Sequence, residues 1–124
     1  MTACTIWTFE TRNFAVIVDC DYEQDWLDLS WDETGEVAEK LATGEWNAYT
    51  MRARLLTRHG DELACDYLGA SIYANPTEFR DHIGSRGQWG SYFTDMVRTV
   101  LAEGRAEIKA RAECYTDAAK ALSH

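Results

Sequence analysis

Asp19, Asp21, Glu23 and Asp25 stand at every second position of one short stretch, a spacing at which hard cations collect carboxylate oxygens. A calcium loop of the helix–loop–helix type also requires glycine at its sixth position and glutamate at its twelfth. Counted from Asp19 those positions hold Gln24 and Ser30, and counted from Asp21 they hold Trp26 and Asp32. Neither register qualifies, so no metal site and no cofactor is expected here. What remains is charge. Residues 19–33 (DCDYEQDWLDLSWDE) carry seven carboxylates, two tryptophans and no lysine or arginine. Between residues 13 and 39 there are nine acids and no bases, whereas the rest of the chain has twelve of each, so the net charge of −9 lies in this one region.

The other chemistry-bearing residues form no reactive set. GSRGQWG at 84–90 spaces its glycines three apart before a helix, but no strand precedes it and no G-K-[ST] follows, so it reads as a helix connection rather than a phosphate loop. Asp81 beside His82, with Ser85 and Ser91 nearby, is the nearest approach to a hydrolytic triad, yet adjacent helical residues point apart and Asp81 cannot orient His82. Cys114 has Arg111 within a turn but no partner histidine. An enzyme would have to assemble distant residues such as Tyr67, His82, Arg86 and Asp95, and no spacing supports one. A non-catalytic protein is expected.

Composition narrows the partners. A chain of 124 residues, 46% hydrophobic and with five tryptophans, can bury a core without disulfides or metals. Cys4, Cys20, Cys65 and Cys114 are too dispersed for a zinc site and read as mostly buried small apolar residues. The start, MTACTIWTFE, has neither a basic leader nor an apolar stretch, and no window is long enough to span a bilayer, so a soluble cytoplasmic protein is expected. A pI near 4.7 argues against direct binding to nucleic acid and against an anionic membrane, and leaves basic proteins as partners.

Periodicity supplies the elements that must position the acids. TIWTFE (5–10) and FAVIVDC (14–20) alternate as a β-hairpin around Thr11 to Asn13. Ser30 and Glu33 form an S-x-x-E capping box, and Trp31, Val37, Ala38, Leu41 and Ala42 recur at helical spacing, which predicts a helix over 31–43 stopped by Gly44. Residues 46–58 and 63–73 read as a second hairpin, with Tyr49, Met51, Ala53 and Leu55 on its apolar face. On its polar face lies a basic stripe of Arg52, Arg54 and Arg58, with Arg54 near Asp66. Asn75 and Pro76 open a short helix carrying Phe79 and Ile83. From Ser91 helical spacing runs almost to the end, but its apolar face is thin beyond Gly104, where the helix is expected to project, break or pack on a second copy. The fold class is therefore α+β: one domain over 1–124, two antiparallel hairpins making a four-stranded sheet, helices on one face and a long C-terminal helix.

On that scaffold the acids read as a partner-binding surface of Asp21, Glu23, Asp25, Trp26, Asp28, Asp32 and Glu36. In an extended strand alternate carboxylates lie about 6.6 Å apart, roughly half as dense as one phosphate per about 3.4 Å along a DNA strand. Such a surface attracts a protein groove built for nucleic acid, with Trp26 and Trp31 as apolar anchors. The alternative is that both tryptophans plug the core while the acids keep the protein soluble.

Two stretches, DYLGASIYANPTEFRDHIG at 66–84 and GSYFTDMVR at 90–98, together with FETRNF and LDLSWDETGEVAEKLATGEW, resemble small acidic proteins encoded by bacteriophages, prophages and other bacterial mobile elements. No settled activity or catalytic residue attaches to that group, so no functional residue is carried over. The resemblance implies a context: small acidic proteins of such elements include inhibitors of bacterial defence, anti-CRISPR and anti-restriction proteins among them, some of which imitate nucleic acid. The expectation is a host-defence inhibitor acting in the bacterial cytoplasm on a basic nucleic-acid-binding host protein. The alternative is a structural or assembly protein that forms a homodimer through its C-terminal helix.

Overall fold

A computed structural model of the chain describes residues 4–81 and 91–123. In order these form β1 (Cys4–Glu10), β2 (Phe14–Tyr22), α1 (Glu36–Thr43), β3 (Asn47–Thr57), β4 (Glu62–Tyr73), α2 (Glu78–Asp81) and α3 (Ser91–Leu122). The expectations placed on His82, Ile83, Ser85, Arg86 and the 84–90 connection lie outside the described residues, as does His124.

Each strand pairs antiparallel with the next, giving one sheet in the order β1-β2-β3-β4. Two hydroxyls set the hairpin turns. Thr11 Oγ1 accepts from the amides of Asn13 and Phe14, and Thr57 Oγ1 accepts from those of His59 and Asp61. Gly60 takes the left-handed conformation, φ 86°, that closes the second turn.

Strand alternation then sorts the side chains. Val16, Val18 and Cys20 of β2 and Tyr49, Met51, Ala53 and Leu55 of β3 are buried on one face, as their spacing predicts. Phe79 of α2 and Phe93, Met96 and Val100 of α3 complete this core. The aromatic rings meet edge to face, Phe93 against Trp7 at 5.3 Å and against Phe79 at 6.2 Å between centroids. The architecture is the α+β domain with a long C-terminal helix.

The first helix departs from its sequence pattern. It begins at Glu36, five residues later than expected, because Gly35 lies at φ 73°, outside helical space. The Ser30–Glu33 box does not form. The carboxylate of Asp32 instead accepts from the amides of Val37 and Ala38 at 3.4 and 3.0 Å, and Ser30 donates its own amide to Asp28. A negative charge there also complements the helix dipole. Shortened in this way, α1 buries none of its residues and Trp31 lies outside it.

The last helix does not break at Gly104. It runs 32 residues, and every residue from 109 to 123 is exposed, so its second half projects from the sheet. Among the described residues no helix is long and apolar enough to cross a membrane. The cysteines divide. Cys20 is buried, with its Sγ 3.4 Å from that of Cys4 on the neighbouring strand, and burial, reinforced by that contact, pushes its thiol up to about 12. Cys4 and Cys65 are half-buried, and Cys114, against expectation, is exposed.

Candidate functional site

The acidic region starts inside the sheet. On the face of β2 opposite the core, Asp19 is only 3% exposed. Cross-strand register sets Arg52 beside it, with Arg54 next on the same face of β3. Arg52 grips the carboxylate with two parallel bonds, Nε to Oδ1 at 2.9 Å and a terminal nitrogen to Oδ2 at 2.8 Å, and Arg54 adds a third at 3.2 Å. The carboxylate raises the Arg52 pKa, so that guanidinium stays charged at any accessible pH. Two arginines of the basic stripe are thus spent on a buried acid, while Arg58 stays exposed and donates to His59. Arg54 faces Cys65 across the ladder while Asp66 faces Ala53, so the expected Arg54–Asp66 pair does not form.

Glu23, the first residue past β2, has a structural task as well. The β3–β4 register shifts between Tyr49 and Met51, and in that bulge Ala70 sits at φ 52°, the positive φ among described non-glycine residues. One carboxylate oxygen of Glu23 fills the bulge, accepting from the Ala70 amide at 2.7 Å and from Thr50 Oγ1 at 2.9 Å; the other accepts from the Asp25 amide at 3.2 Å. The Ala70 amide, followed by that of Asp25, holds the Glu23 carboxyl below its ordinary range. Its folded pKa lies below the unfolded 4.5, so its contribution is full above that value and is lost as pH falls through the folded pKa. Glu23→Gln should therefore cost about 1–2 kcal/mol at pH 7 and show a smaller loss of stability than the parent on acidification below pH 4.5. Denaturant unfolding at pH 7 and pH 3.5 checks both.

Asp21 and Asp25 join Asp19 and Glu23 around an open pocket of about 260 Å³, which Thr50, Arg52 and Tyr67 also line. Beyond it the loop to Gly35 is braced by its own acids: Glu23 receives the Asp25 amide, and Asp28 receives the Ser30 amide, which lowers the Asp28 pKa. Of the expected surface, Asp21, Glu23 and Asp25 are thus brought together, Asp32 holds the start of α1, and Asp28 and Glu36 are exposed beyond the pocket. Trp26 is 86% and Trp31 60% exposed, so neither plugs the core.

Sequence reasoning missed the Asp19–Arg52–Arg54 cluster and the Tyr67 wall. The signal was present: Asp19 and the two arginines fall on the outward phase of adjacent paired strands, and only the register between hairpins was needed to join them. Of the residues weighed for an enzyme, the two that are described lie apart. Tyr67 stands on the outer face with Arg52, whereas Asp95 is an exposed residue of α3, the helix that covers the other face. Among the described residues no three His, Cys, Asp or Glu side chains are grouped to hold a metal ion. Comparison with protein-family models, curated proteins and solved structures finds no match to this chain.

Proposed function

We propose that this chain is a binding protein without a catalytic role, and that its acidic, tryptophan-bearing loop docks on a basic, nucleic-acid-handling protein. The observation that carries this reading is the pair Trp26 and Trp31, both more than half exposed within a segment free of bases. Large aromatic side chains left in water beside one sign of charge have the make-up of an interface core with a steering rim. Asp19, Glu23 and Asp32 are committed to the fold, so the docking charges are Asp21, Asp25, Asp28, Glu33, Glu36 and Glu39. Taken with the resemblance of the sequence to mobile-element proteins, the partner class is host defence machinery, and the protein an inhibitor of the anti-CRISPR or anti-restriction type.

Affinity capture from a bacterial lysate tests the reading. The parent chain should retain a nucleic-acid-binding protein at low salt and release it at high salt. A variant carrying Asp25→Lys, Glu33→Lys, Glu36→Lys and Trp26→Ala, which leaves Asp19, Glu23 and Asp32 in place, should retain none while unfolding at a similar temperature. Equal capture by parent and variant would refute the assignment.

A further inference from the structure

The apolar stripe that seats α3 on the sheet does not stop where the sheet stops. Phe93, Met96, Val100 and the close contact at Gly104 lie on one side of α3, and the same side continues with Ile108, Tyr115 and Leu122, which are 52%, 71% and 86% exposed. Leu101, Ile108, Tyr115 and Leu122 recur every seven residues, and Arg105, Ala112 and Ala119 stand four residues after the first three of them. This is a two-position heptad seam. It covers about 21 Å of helix over residues 109–122, every one of them exposed, and a helix of that length without packing is marginal in water.

Side-chain size selects the occupant. Two copies side by side in parallel set Ile108 on Ile108, Tyr115 on Tyr115 and Ala112 on Ala112, large against large and small against small. They also bring Arg105, Lys109 and Arg111 of both helices together. Turned antiparallel, with the dyad between residues 113 and 114, each large residue meets a small one: Ile108 on Ala119 and Tyr115 on Ala112, each twice. Arg105, Lys109 and Arg111 then stand about 26, 14 and 8 Å along the axis from their counterparts instead of level with them. In that register Leu122 reaches Arg105, which with Phe14, Leu55, Leu63, Leu101 and Ile108 lines an apolar hollow of about 130 Å³ where α3 leaves the sheet. We infer that α3 pairs with α3 of a second copy of this chain in an antiparallel dimer, the Leu122 side chain of each copy seating in this hollow of the other. The inference uses no residue of the acidic loop and stands without the reading given above for it.

Sedimentation of the full chain should give twice the 14.1 kDa chain mass, and Tyr115→Glu with Leu122→Glu should return it to the single-chain mass. Both positions are exposed in the monomer, so the variant should keep the sheet signal in circular dichroism. Orientation is read by oxidative cross-linking in a Cys114→Ala background. Ile108→Cys combined with Ala119→Cys should form a covalent dimer, while either substitution alone should not. A full chain that sediments as a monomer at every concentration, a dimer that survives the two glutamates, or self-cross-linking by Ile108→Cys alone would each overturn the proposal.

Discussion

Asp19→Ala should destabilise the fold by about 3 kcal/mol, lowering the melting temperature by roughly 10 °C. The carboxylate is 4% exposed while the side chains of Arg52 and Arg54 keep 30% and 25% exposure, so its removal leaves two partly desolvated guanidiniums side by side. Losing one partner of a buried pair costs about 3–5 kcal/mol because the surviving charge is left uncompensated, and the residual water access of the arginines places this case at the lower end. Arg54 Nε already lies buried without a hydrogen-bond partner, so losing Asp19 leaves that guanidinium with a further unmet donor. Arg52→Met in the Asp19→Ala background should recover part of the loss, since it removes one of the two neighbouring guanidiniums and keeps the aliphatic stem. Thermal unfolding of the two variants beside the parent decides the matter, and equal stability of Asp19→Ala and the parent would mean that the cluster contributes nothing.

Gly104→Val should cost about 3 kcal/mol, at the upper end of what over-packing a core exacts. Gly104 is buried in mid-helix, where glycine costs about 1 kcal/mol relative to alanine, so something must offset that. The offset is close approach: a Cβ at this position would collide with Leu55 Cδ2. Leu55 is itself buried on β3, so α3 must lift or Leu55 must leave its rotamer. Gly104→Ala places the propensity gain against a smaller clash and should lose only about 1 kcal/mol. The collision has its own signature in a double-mutant cycle. Leu55→Ala should be less harmful with valine at 104 than with glycine, because the cavity it opens admits the new side chain. Additive losses would show that Gly104 serves some other purpose.

These two sites also mark where the sequence was legible and where it was not. Both hairpins could be read because alternation reports one face of a strand at a time, and Val16, Val18, Met51 and Leu55 are buried as their spacing requires. The continuity of α3 was left open by Gly104, since a glycine in a helical pattern looks the same whether it breaks the helix or lets a neighbour approach. The acidic run was legible as charge but not as parts. Asp19 pairs within the sheet, Glu23 fills a bulge in β4 and Asp32 holds the start of α1, and each of these roles depends on a partner distant in sequence or on the αL turn at Gly35. The S-x-x-E pattern misled because Gly35 interrupts the helix that Ser30 and Glu33 would have capped. Trp26 and Trp31 are ambiguous by type, and their exposure is what rules out the core plug.

The loop between β2 and α1 is proposed to be a docking surface. Hydrogen exchange of the full chain, alone and with the nucleic-acid-binding protein captured from lysate, tests it most directly. The amides of residues 22–36 should exchange more slowly in the complex, with Trp26 and Trp31 inside the protected stretch, and the protection should fade as salt is raised. Unchanged exchange across residues 22–36 in a complex that has formed would contradict the claim.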